Sequence, residues 1–217
     1  MMRVGVLASG SGSNLQAILD GCAARAIPAE VAVVICNVPG ARALQRAEAA
    51  KVPAVALPHQ KFKTREDHDR ELVSILQRHR VDLVCLAGFM RLITPVLLGA
   101  FQNRILNIHP SLLPAFPGMH GVRQALAAGV RVSGCSVHVV DEGCDTGPLL
   151  IQAAVPVLDG DDEETLAARI LVQEHRCYTR AISLWAQGRI HLEGRRVRID
   201  GAAGAPGRTI SSPELLD

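Results

Sequence analysis

A short apolar stretch of this 217-residue sequence contains two polar side chains and then a proline, in a spacing that can support chemistry. Asn107 and His109 flank Ile108, and alternate side chains of an extended strand lie on one face, so the amide and the imidazole should point the same way. Pro110 has no N–H for a sheet ladder and predicts the end of the strand. We therefore expect both side chains at the carboxyl end of a strand, where open α/β sheets bind ligands.

Asn107 and His109 could together stabilise an oxygen that becomes negatively charged, because an amide and a protonated imidazole both donate hydrogen bonds. Asp145, in an acidic loop, could keep His109 charged or accept a proton from an attacking amine. No Gly-x-Ser-x-Gly or Cys–His signature offers a protein nucleophile, so direct transfer between two bound small molecules is favoured. A lone histidine near a strand end is more often a solvated or hydrogen-bonded residue, and the acidic loop over residues 141–148, taken alone, could equally be a solvated turn.

A second candidate site is a glycine-rich turn near the N-terminus. Residues 3–8 have the apolar pattern of a buried parallel strand, and apolar residues at helical spacing begin at Leu15. Between them, residues 9–14 can bring backbone N–H groups close to an anion at the start of the helix. The turn lacks the third glycine of the dinucleotide fingerprint and the Gly-Lys-Ser/Thr of a P-loop, so by itself it is a weak signal for a phosphate site.

Three further stretches bear on ligands. Asn37 follows the second predicted strand, where a nicotinamide-binding unit has an acidic residue, and this argues against such a cofactor. Arg65 could face solvent or could clamp an anion held by the first loop, since a guanidinium fits phosphate oxygens. The apolar residues 89–93 either fill the core, which the sequence favours slightly, or line a slot for an aromatic ligand.

The elements that must position these residues alternate between strand and helix up to about residue 130. Strands are predicted at residues 3–8, 31–36, 53–57, 81–87, 104–109, 135–140 and 149–155. Helices are predicted from Leu15, over 41–50, over 65–79, from Thr94-Pro95, over 121–129 and over 163–187. Thr64 and Thr94 are the predicted N-caps of the third and fourth of these helices. A final hairpin is expected to pair 189–192 with 197–200. The pattern predicts an α/β fold with a doubly wound, mostly parallel twisted sheet and an antiparallel C-terminal addition.

Composition limits the class of protein. A hydrophobic fraction of 48% and a charged fraction of 20% are those of a globular domain, and a net charge of +2 gives no indication of a nucleic-acid or membrane partner. No apolar run approaches the roughly 20 residues that cross a bilayer, and the first residues run into a strand pattern without a cleavage region, so we do not expect them to be a signal peptide. Six scattered cysteines predict a reduced, cytoplasmic protein without a structural metal. Residues 1–200 are expected to form one domain, followed by a flexible tail over 201–217.

Seven segments of the chain resemble the folate-dependent phosphoribosylglycinamide formyltransferase family. They are SGSGSNLQAI from Ser9, DRELV from Asp69, LAGFMRLITP from Leu86, NIHPSLLPAFPG from Asn107, SVHVV from Ser136, DTGP from Asp145 and QEH from Gln173. NIHPSLLP followed by D-x-G-P is specific to folate formyl transfer, and the first loop with QEH points to the glycinamide enzyme. The resemblance extends over nearly the whole chain to about residue 200.

The resemblance implies a Rossmann-like formyltransferase fold and the transfer of a formyl group from 10-formyltetrahydrofolate to the amine of glycinamide ribonucleotide. It implies catalytic roles for Asn107, His109 and Asp145. It implies binding of glycinamide ribonucleotide by Gly12, Ser13, Asn14, Leu15, Arg65 and Glu174. It implies folate binding by Met90, Arg91, Leu92, Asp141, Glu142, Gly143 and Cys144. We expect a monomer or homodimer without a metal.

Two positions depart from the family pattern and bear on details of the folate loop. Val122 stands where a second histidine often follows His120, and Cys144 stands where a branched aliphatic residue commonly precedes the aspartate. Other functions fit parts of the pattern. A formyltetrahydrofolate hydrolase would replace the amine with water but carries an N-terminal regulatory domain, and a methionyl-tRNA transformylase carries a further C-terminal one. A nucleotide-binding module on a Rossmann-like sheet would need no acid–base residues.

Overall fold

The computed structural model describes residues 1–201, so the predicted tail, apart from Gly201, lies outside the described residues. The main sheet contains β1 Met2–Ala8, β2 Ala29–Cys36, β3 Ala54–Ala56, β4 Leu83–Leu86, β5 Ile105–His109, β6 Val132–Val139 and β7 Leu149–Pro156. The hairpin strands are β8 Ile190–Glu193 and β9 Arg196–Ile199. The α-helices are α1 Ser13–Ala23, α2 Arg42–Ala49, α3 Arg65–Arg78, α4 Pro95–Ala100, α5 Gly121–Ala127 and α6 Glu163–Ala186.

The strand order of the main sheet is β3-β2-β1-β4-β5-β6-β7. Neighbouring strands from β3 to β5 are parallel, whereas β6 is antiparallel to both β5 and β7. The prediction of a doubly wound, mostly parallel sheet with an antiparallel addition is thus confirmed. The order reverses between β1 and β4, so the connections that leave their carboxyl ends diverge and open a crevice.

Helices cover both faces of the main sheet, which is why most of its strands are apolar nearly throughout. Buried residues of α1, α2, α5 and α6 pack on one face, and those of α3 and α4 pack on the other. Within β1, Val4 and Val6 face the first core while Leu7 faces the second, as the alternation of strand side chains requires. The crevice therefore lies at the carboxyl edge of a sheet that is packed against helices on both faces.

The predicted elements are all present, with ends displaced by at most three residues. Helix α1 begins at Ser13 rather than Leu15, because polar residues occupy its first turn and carry no apolar periodicity. Strand β6 begins at Val132 rather than residue 135, because Ser133 and Gly134 do not belong to an apolar run. A Cβ at Gly134 would lie 1.9 Å from the Ala153 carbonyl oxygen, so this close strand pairing admits only glycine.

Two predicted helix starts are confirmed by their side-chain caps. The Thr64 hydroxyl accepts a hydrogen bond from the Asp67 N–H at 3.0 Å at the start of α3. The Thr94 hydroxyl accepts one from the Val96 N–H at 3.3 Å, and Pro95 is the first residue of α4. In both cases a threonine satisfies an N–H that the first turn of a helix leaves without a helical partner. Both starts follow loops at the carboxyl edge of the sheet.

Tyr178 ties α6 to the two strands that end beside the crevice. Its side chain is fully buried, and its hydroxyl oxygen lies 3.0 Å from the carbonyl oxygens of both Leu86 and Leu106. Leu86 ends β4, and Leu106 precedes Asn107 on β5. The long helix is therefore fixed to the backbone that carries the candidate catalytic side chains.

Tyr178→Phe should lower the free energy of unfolding by about 1–2 kcal/mol, because the ring still packs but buried carbonyl oxygens lose their donor. Urea unfolding with an unchanged m-value measures this loss. Thr179→Val, which removes a neighbouring hydroxyl that bonds within α6, is the control and should change the free energy by less than about 0.5 kcal/mol. A Tyr178→Phe protein as stable as the original would show that the hydroxyl contacts do not contribute.

Candidate active site

Strand β5 carries Asn107 and His109 on the face of the sheet opposite to Leu106 and Ile108. Leu106 and Ile108 are buried in the core formed with α6, whereas the amide and the imidazole approach the loop that follows β6. This is the alternation that the sequence predicts. The strand ends at His109, immediately before Pro110. Both polar side chains therefore lie at the carboxyl end of a parallel strand.

The structure brings Asp145 into contact with both of these side chains. Its Oδ2 lies 3.3 Å from His109 Nδ1, and its Oδ1 accepts a hydrogen bond from Asn107 Nδ2 at 3.3 Å. The Gly118 N–H also donates to Oδ2, at 2.8 Å. Asp145 has a φ of +55°, in the left-handed region that few non-glycine residues adopt. The predicted catalytic residues thus form one cluster.

His138 is a fourth member of the cluster, and the sequence analysis did not identify it as a site residue. It pairs directly with Asn107 in the antiparallel ladder and is almost fully buried. Its Nε2 lies 3.2 Å from Asn107 Nδ2 and 3.4 Å from Asp145 Oδ1, and its Nδ1 lies 3.0 Å from the Val139 carbonyl oxygen. His138 therefore lies against both the amide of Asn107 and the carboxylate of Asp145.

The His109 ring has a hydrogen-bond acceptor at each nitrogen. Nδ1 faces Asp145, and Nε2 lies 2.9 Å from the carbonyl oxygen of Phe116 in the loop that follows β5. Only an imidazolium donates through both nitrogens, so the surroundings suit the charged ring. A Cβ at Gly121 would lie 3.3 Å from Nε2, so the start of α5 packs closely against the ring.

The Asp145 carboxylate is stabilised in its charged form. Burial raises the pKa of Asp145, but hydrogen bonds from His138 and the Gly118 N–H, with the positive charges of His109 and His138, outweigh burial and bring the pKa to about 2. At neutral pH the group is therefore a carboxylate. It accepts hydrogen bonds and attracts a cationic imidazole.

The loop that carries Asp145 is held by its own side chains and by the C-terminal hairpin. Asp141 Oδ1 accepts hydrogen bonds from the Gly143 N–H at 3.1 Å and from the Thr146 hydroxyl at 2.6 Å. Arg195, between β8 and β9, donates through Nη2 to the Thr146 carbonyl oxygen at 2.8 Å. Burial and the neighbouring carboxylate raise the pKa of the Cys144 thiol, so it is not a thiolate nucleophile.

The first glycine-rich loop lines a cavity of about 190 Å³ in the crevice between β1 and β4. The lining residues are Ser9, Gly10, Ser11, Gly12, Ser13, Asn14, Ala87, Gly88 and Met90. Gly12 precedes α1 with a φ of +69°, and a Cβ there would lie 2.9 Å from Ala43 Cα. Within the described chain, no acceptor bonds the backbone N–H of Gly12, Ser13 or Asn14. The cavity therefore presents free donors at a helix N-terminus, which suits an anion.

Asn14 links this cavity to α6. Its Nδ2 donates to Glu174 Oε2 at 2.8 Å, although the two residues are 160 positions apart, and both are buried. Burial raises the pKa of Glu174, and the hydrogen bond from Asn14 partly offsets this. Asn14 Oδ1 is buried without a hydrogen-bond partner in the part of the chain that the structure describes. An acceptor oxygen and a carboxylate therefore lie beside the free N–H groups, a combination that suits a sugar phosphate.

Comparison with known proteins identifies the family. A family model described as formyl transferase matches residues 2–182. The chain is 44% identical over 200 residues to phosphoribosylglycinamide formyltransferase of Escherichia coli (strain K12), covering 92% of this chain and 94% of that protein. The chain belongs to the phosphoribosylglycinamide formyltransferase family. The crystal structure of glycinamide ribonucleotide transformylase 1 from Symbiobacterium toebii has a TM-score of 0.91 and 57% identity, covering 92% of this chain and 94% of that one.

A longer relative contains a similar segment. The chain is 50% identical over 188 residues to the trifunctional purine biosynthetic protein adenosine-3 of Drosophila melanogaster. That match covers 86% of this chain, which spans only 14% of the relative. The matched family segment, residues 2–182, contains the catalytic cluster, the first loop and Glu174, whereas the hairpin with Arg195 follows it.

Of the residues that the family resemblance assigns to the nucleotide, the structure brings four to the first cavity and leaves two apart. Gly12, Ser13 and Asn14 line it, and Glu174 bonds to Asn14. The side chain of Leu15 is fully buried in the core, so only its backbone could face a ligand. Arg65 begins α3 with an exposed side chain and is not among the lining residues. The arginine in contact with this loop is Arg46, which the sequence analysis did not select.

The stretch that follows β4 is divided between core and surface, which corrects the slight preference for core. Phe89 and Ile93 pack against the core, but Met90 is 67% exposed and Leu92 is 61% exposed. The backbone is anchored at both ends of the stretch. The Met90 N–H donates to the Ser9 hydroxyl at 2.8 Å, and the Thr94 N–H donates to buried Asp69 at 2.6 Å. Exposed apolar side chains on an anchored loop beside the crevice suit an apolar ligand.

The described residues contain neither a cluster suited to a metal ion nor a helix suited to a membrane. No group of three or more His, Cys, Asp or Glu side chains among residues 1–201 is arranged to hold a metal ion. Over the same residues, no helix combines the length and the apolar character needed to cross a membrane.

The predicted folate-loop residues Glu142, Gly143 and Cys144 are exposed. Arg91 is half-buried, with an Nε atom that has no hydrogen-bond partner within the described chain.

Asp145→Asn should remove a pH-dependent part of the stability. Because the folded pKa of Asp145 is about 2, below the ordinary value of 3.8, its contribution is complete above about pH 4 and is lost as pH falls towards 2. The free energy of unfolding of Asp145→Asn should be about 2 kcal/mol below the original at pH 7, and this difference should shrink between pH 4 and pH 2. Urea unfolding across this range measures it.

The control for this experiment is Asp159→Asn. The Asp159 side chain is 87% exposed and pairs with Arg131 at the surface, so its removal should leave the pH dependence of stability unchanged. If the Asp145→Asn protein differed from the original by the same amount at pH 5 and pH 2, the carboxylate charge would not stabilise this cluster.

Proposed function

We propose that the chain transfers the formyl group of 10-formyltetrahydrofolate to the amine of glycinamide ribonucleotide. The observation that carries the proposal is the contact of Asn107, His109 and Asp145 in one cluster, at the same sheet edge as an anion cavity. Membership of the phosphoribosylglycinamide formyltransferase family supports the choice of both substrates. The reaction belongs to purine synthesis.

Asn107 and His109 are proposed to stabilise the oxyanion. When the amine attacks the formyl carbon, a C–N bond forms and the carbonyl electron pair moves to oxygen. The Asn107 amide and the His109 imidazolium can both donate hydrogen bonds to that oxygen, provided that His109 Nε2 exchanges the Phe116 carbonyl oxygen for it. Asp145 holds Asn107 in orientation before substrate arrives, and the second hydrogen of the Asn107 amide nitrogen is left for the oxyanion. Donors fixed in advance need little reorganisation in the transition state.

Asp145 is proposed to take part in the two proton transfers of the reaction. The attacking amine becomes an ammonium as the C–N bond forms, and the carboxylate accepts its proton directly or through a water. Asp145 also favours the charged form of His109, which lies 3.3 Å away. His109 can then supply the proton that the folate nitrogen needs when its bond to the formyl carbon breaks. One cluster thereby accepts the proton that the amine loses and supplies the proton that the folate nitrogen gains.

The first loop is proposed to bind the phosphate of glycinamide ribonucleotide. The N–H groups of Gly12, Ser13 and Asn14 provide donors for phosphate oxygens, and the α1 N-terminus favours negative charge. Glu174 accepts hydrogen bonds and suits the ribose hydroxyls. Leu15 contributes its backbone, and Arg65 remains the proposed outer clamp of the phosphate.

The folate is proposed to bind next to the anion cavity, on the loop that follows β4, whose Met90 also lines that cavity. Exposed Met90 and Leu92 offer apolar contact for a pterin ring, and Arg91 offers a cation for the acidic end of the molecule. The loop over residues 141–144 offers backbone groups, and Asp141 is engaged in holding the loop itself. Residues 1–200 are proposed to act as one domain. The cytoplasmic location and the monomeric or homodimeric state remain predictions.

A formyl-transfer assay with both substrates tests the proposal. Purified protein should form formylglycinamide ribonucleotide and tetrahydrofolate in equal amounts. The alternative, a formyltetrahydrofolate hydrolase, would release formate whether or not the amine substrate is present. A non-catalytic nucleotide-binding module would bind glycinamide ribonucleotide without turnover. Formate release at the full rate without the amine would favour the hydrolase.

His109→Ala should reduce turnover by about 10²–10⁴-fold, the usual effect of losing an acid–base or oxyanion group. The fold should persist, because a smaller side chain at the end of β5 leaves the strand intact. Steady-state kinetics with both substrates measure the change, and far-ultraviolet circular dichroism checks the fold. His79→Ala, at the far end of α3, is the control and should turn over normally. Turnover of His109→Ala close to that of the original would remove His109 from the mechanism.

Arg65→Ala should mainly raise the KM for glycinamide ribonucleotide, because a phosphate clamp binds the ground state and the transition state alike. We expect a change of about tenfold with kcat little affected. Arg78→Ala, at the other end of α3, is the control because its guanidinium only meets Glu71 at the surface. If the KM for the folate rose instead, Arg65 would belong to the folate side of the crevice.

A further inference from the structure

Arg46 of α2 contacts the first glycine-rich loop, residues 9–14, on the side that faces away from the cavity. Its Nε donates to the Ser11 carbonyl oxygen at 2.9 Å, and its Nη1 donates to Gln16 Oε1, in the first turns of α1, at 2.8 Å. Arg46 does not line the cavity. One guanidinium therefore joins the loop to the helix whose N-terminus forms the anion site. A guanidinium fork makes such paired bonds with a fixed geometry.

A second contact from the same helix holds the preceding carbonyl. The Ala43 N–H donates to the Gly10 carbonyl oxygen at 3.1 Å, so α2 binds two successive carbonyl groups of the loop. In a planar trans peptide the C=O and the following N–H point in opposite directions. The N–H groups of Ser11 and Gly12 are consequently directed away from α2. These two residues line the cavity.

The packing of α2 on the loop leaves no room for other side chains at Gly12. A Cβ at Gly12 would lie 2.9 Å from Ala43 Cα and 3.3 Å from Arg46 Cδ, so the backbone of the loop touches the helix directly. The Arg46 side chain extends past this contact to Ser11. The orientation of the Ser11 peptide therefore depends on a side-chain bond, whereas that of the Gly10 peptide depends on a backbone bond.

The charge of Arg46 also extends to α6. Burial and the Arg46 guanidinium lower the pKa of His175, which follows Glu174. His175 Nε2 is buried and has no hydrogen-bond partner among residues 1–201. The positive charge of Arg46 makes the electrostatic potential at the loop more favourable for an anion. Part of the space between the two charges is protein, which weakens their attraction less than water does.

We propose that Arg46 is a positioning residue for phosphate binding. It holds the Ser11 carbonyl oxygen away from the cavity, so that N–H groups rather than a carbonyl face the anion, and it places a positive charge behind the loop. The inference rests on the proposed function for the identity of the substrate, but the loop geometry does not depend on it. Arg46 would not touch the phosphate itself.

Arg46→Gln should raise the KM for glycinamide ribonucleotide by about tenfold, with kcat within about twofold and the KM for the folate unchanged. Glutamine keeps much of the side-chain length but removes the charge and the forked donor. Arg46→Lys keeps the charge and one donor, so its KM should lie between the two. Arg78→Gln makes the same change of net charge at a distant surface and is the matched control.

Calorimetric titration with inorganic phosphate gives a readout that does not require turnover. The original protein and Arg78→Gln should bind phosphate alike, whereas Arg46→Gln should bind it about tenfold more weakly and Arg46→Lys should recover part of the loss. Unchanged phosphate affinity in Arg46→Gln would overturn the proposal. Equal weakening towards phosphate and the folate, together with a lower free energy of unfolding, would also overturn it, because Arg46 would then be only structural.

The outcomes also separate this inference from the proposed function. If the original protein binds phosphate with the expected dependence on Arg46 but transfers no formyl group, the proposed reaction is wrong and the role of Arg46 stands. If formyl transfer is normal and Arg46→Gln matches the original in KM and in phosphate affinity, the role of Arg46 is wrong and the reaction stands. Should Arg46→Gln fail to fold, the Arg46→Lys titration decides the result.

Discussion

The candidate site depends on one carboxylate held where two imidazoles, an amide and a backbone N–H converge. Burial alone would favour a protonated Asp145, yet its contacts with His109, His138 and Gly118 keep it charged. Because the same carboxylate contacts Asn107 and His109, it orients the amide of one and offers a hydrogen-bond acceptor to the imidazole of the other. Its left-handed backbone shows that the loop is shaped around this convergence.

Sheet topology is what makes this convergence available. The reversal of strand order between β1 and β4 opens the anion cavity, and the change to antiparallel pairing at β6 brings His138 alongside Asn107. A parallel strand in that position would need a crossover connection before the loop with Asp145 could return to the same edge. The anion cavity and the cluster of Asn107, His109 and Asp145 therefore occupy neighbouring parts of one edge, on loops supported by strands with a packed core on each side.

The sequence was sufficient to predict features that depend on local patterns, but not those that depend on how distant strands and helices pack together. Strand alternation was sufficient to place Asn107 and His109 together, and threonine caps marked two helix starts. His138 lies opposite Asn107 only through the register of β5 with β6, which periodicity does not encode. Arg46 was missed for a related reason. Helix α2 is only two turns long, and its sequence does not show which loop it packs against. The exposure of Met90 shows that an apolar run beside a crevice need not be core.

The hydrogen bond between Asn14 and Glu174 has a consequence for how the protein is made. It joins residues 160 positions apart, on α1 and α6. Synthesis proceeds from the N-terminus, so the loop and α1 exist long before their partner on α6. Contacts of such long sequence separation close only after a large loss of chain entropy. The contact between Asn14 and Glu174 can therefore form only after all seven strands of the main sheet have been synthesised.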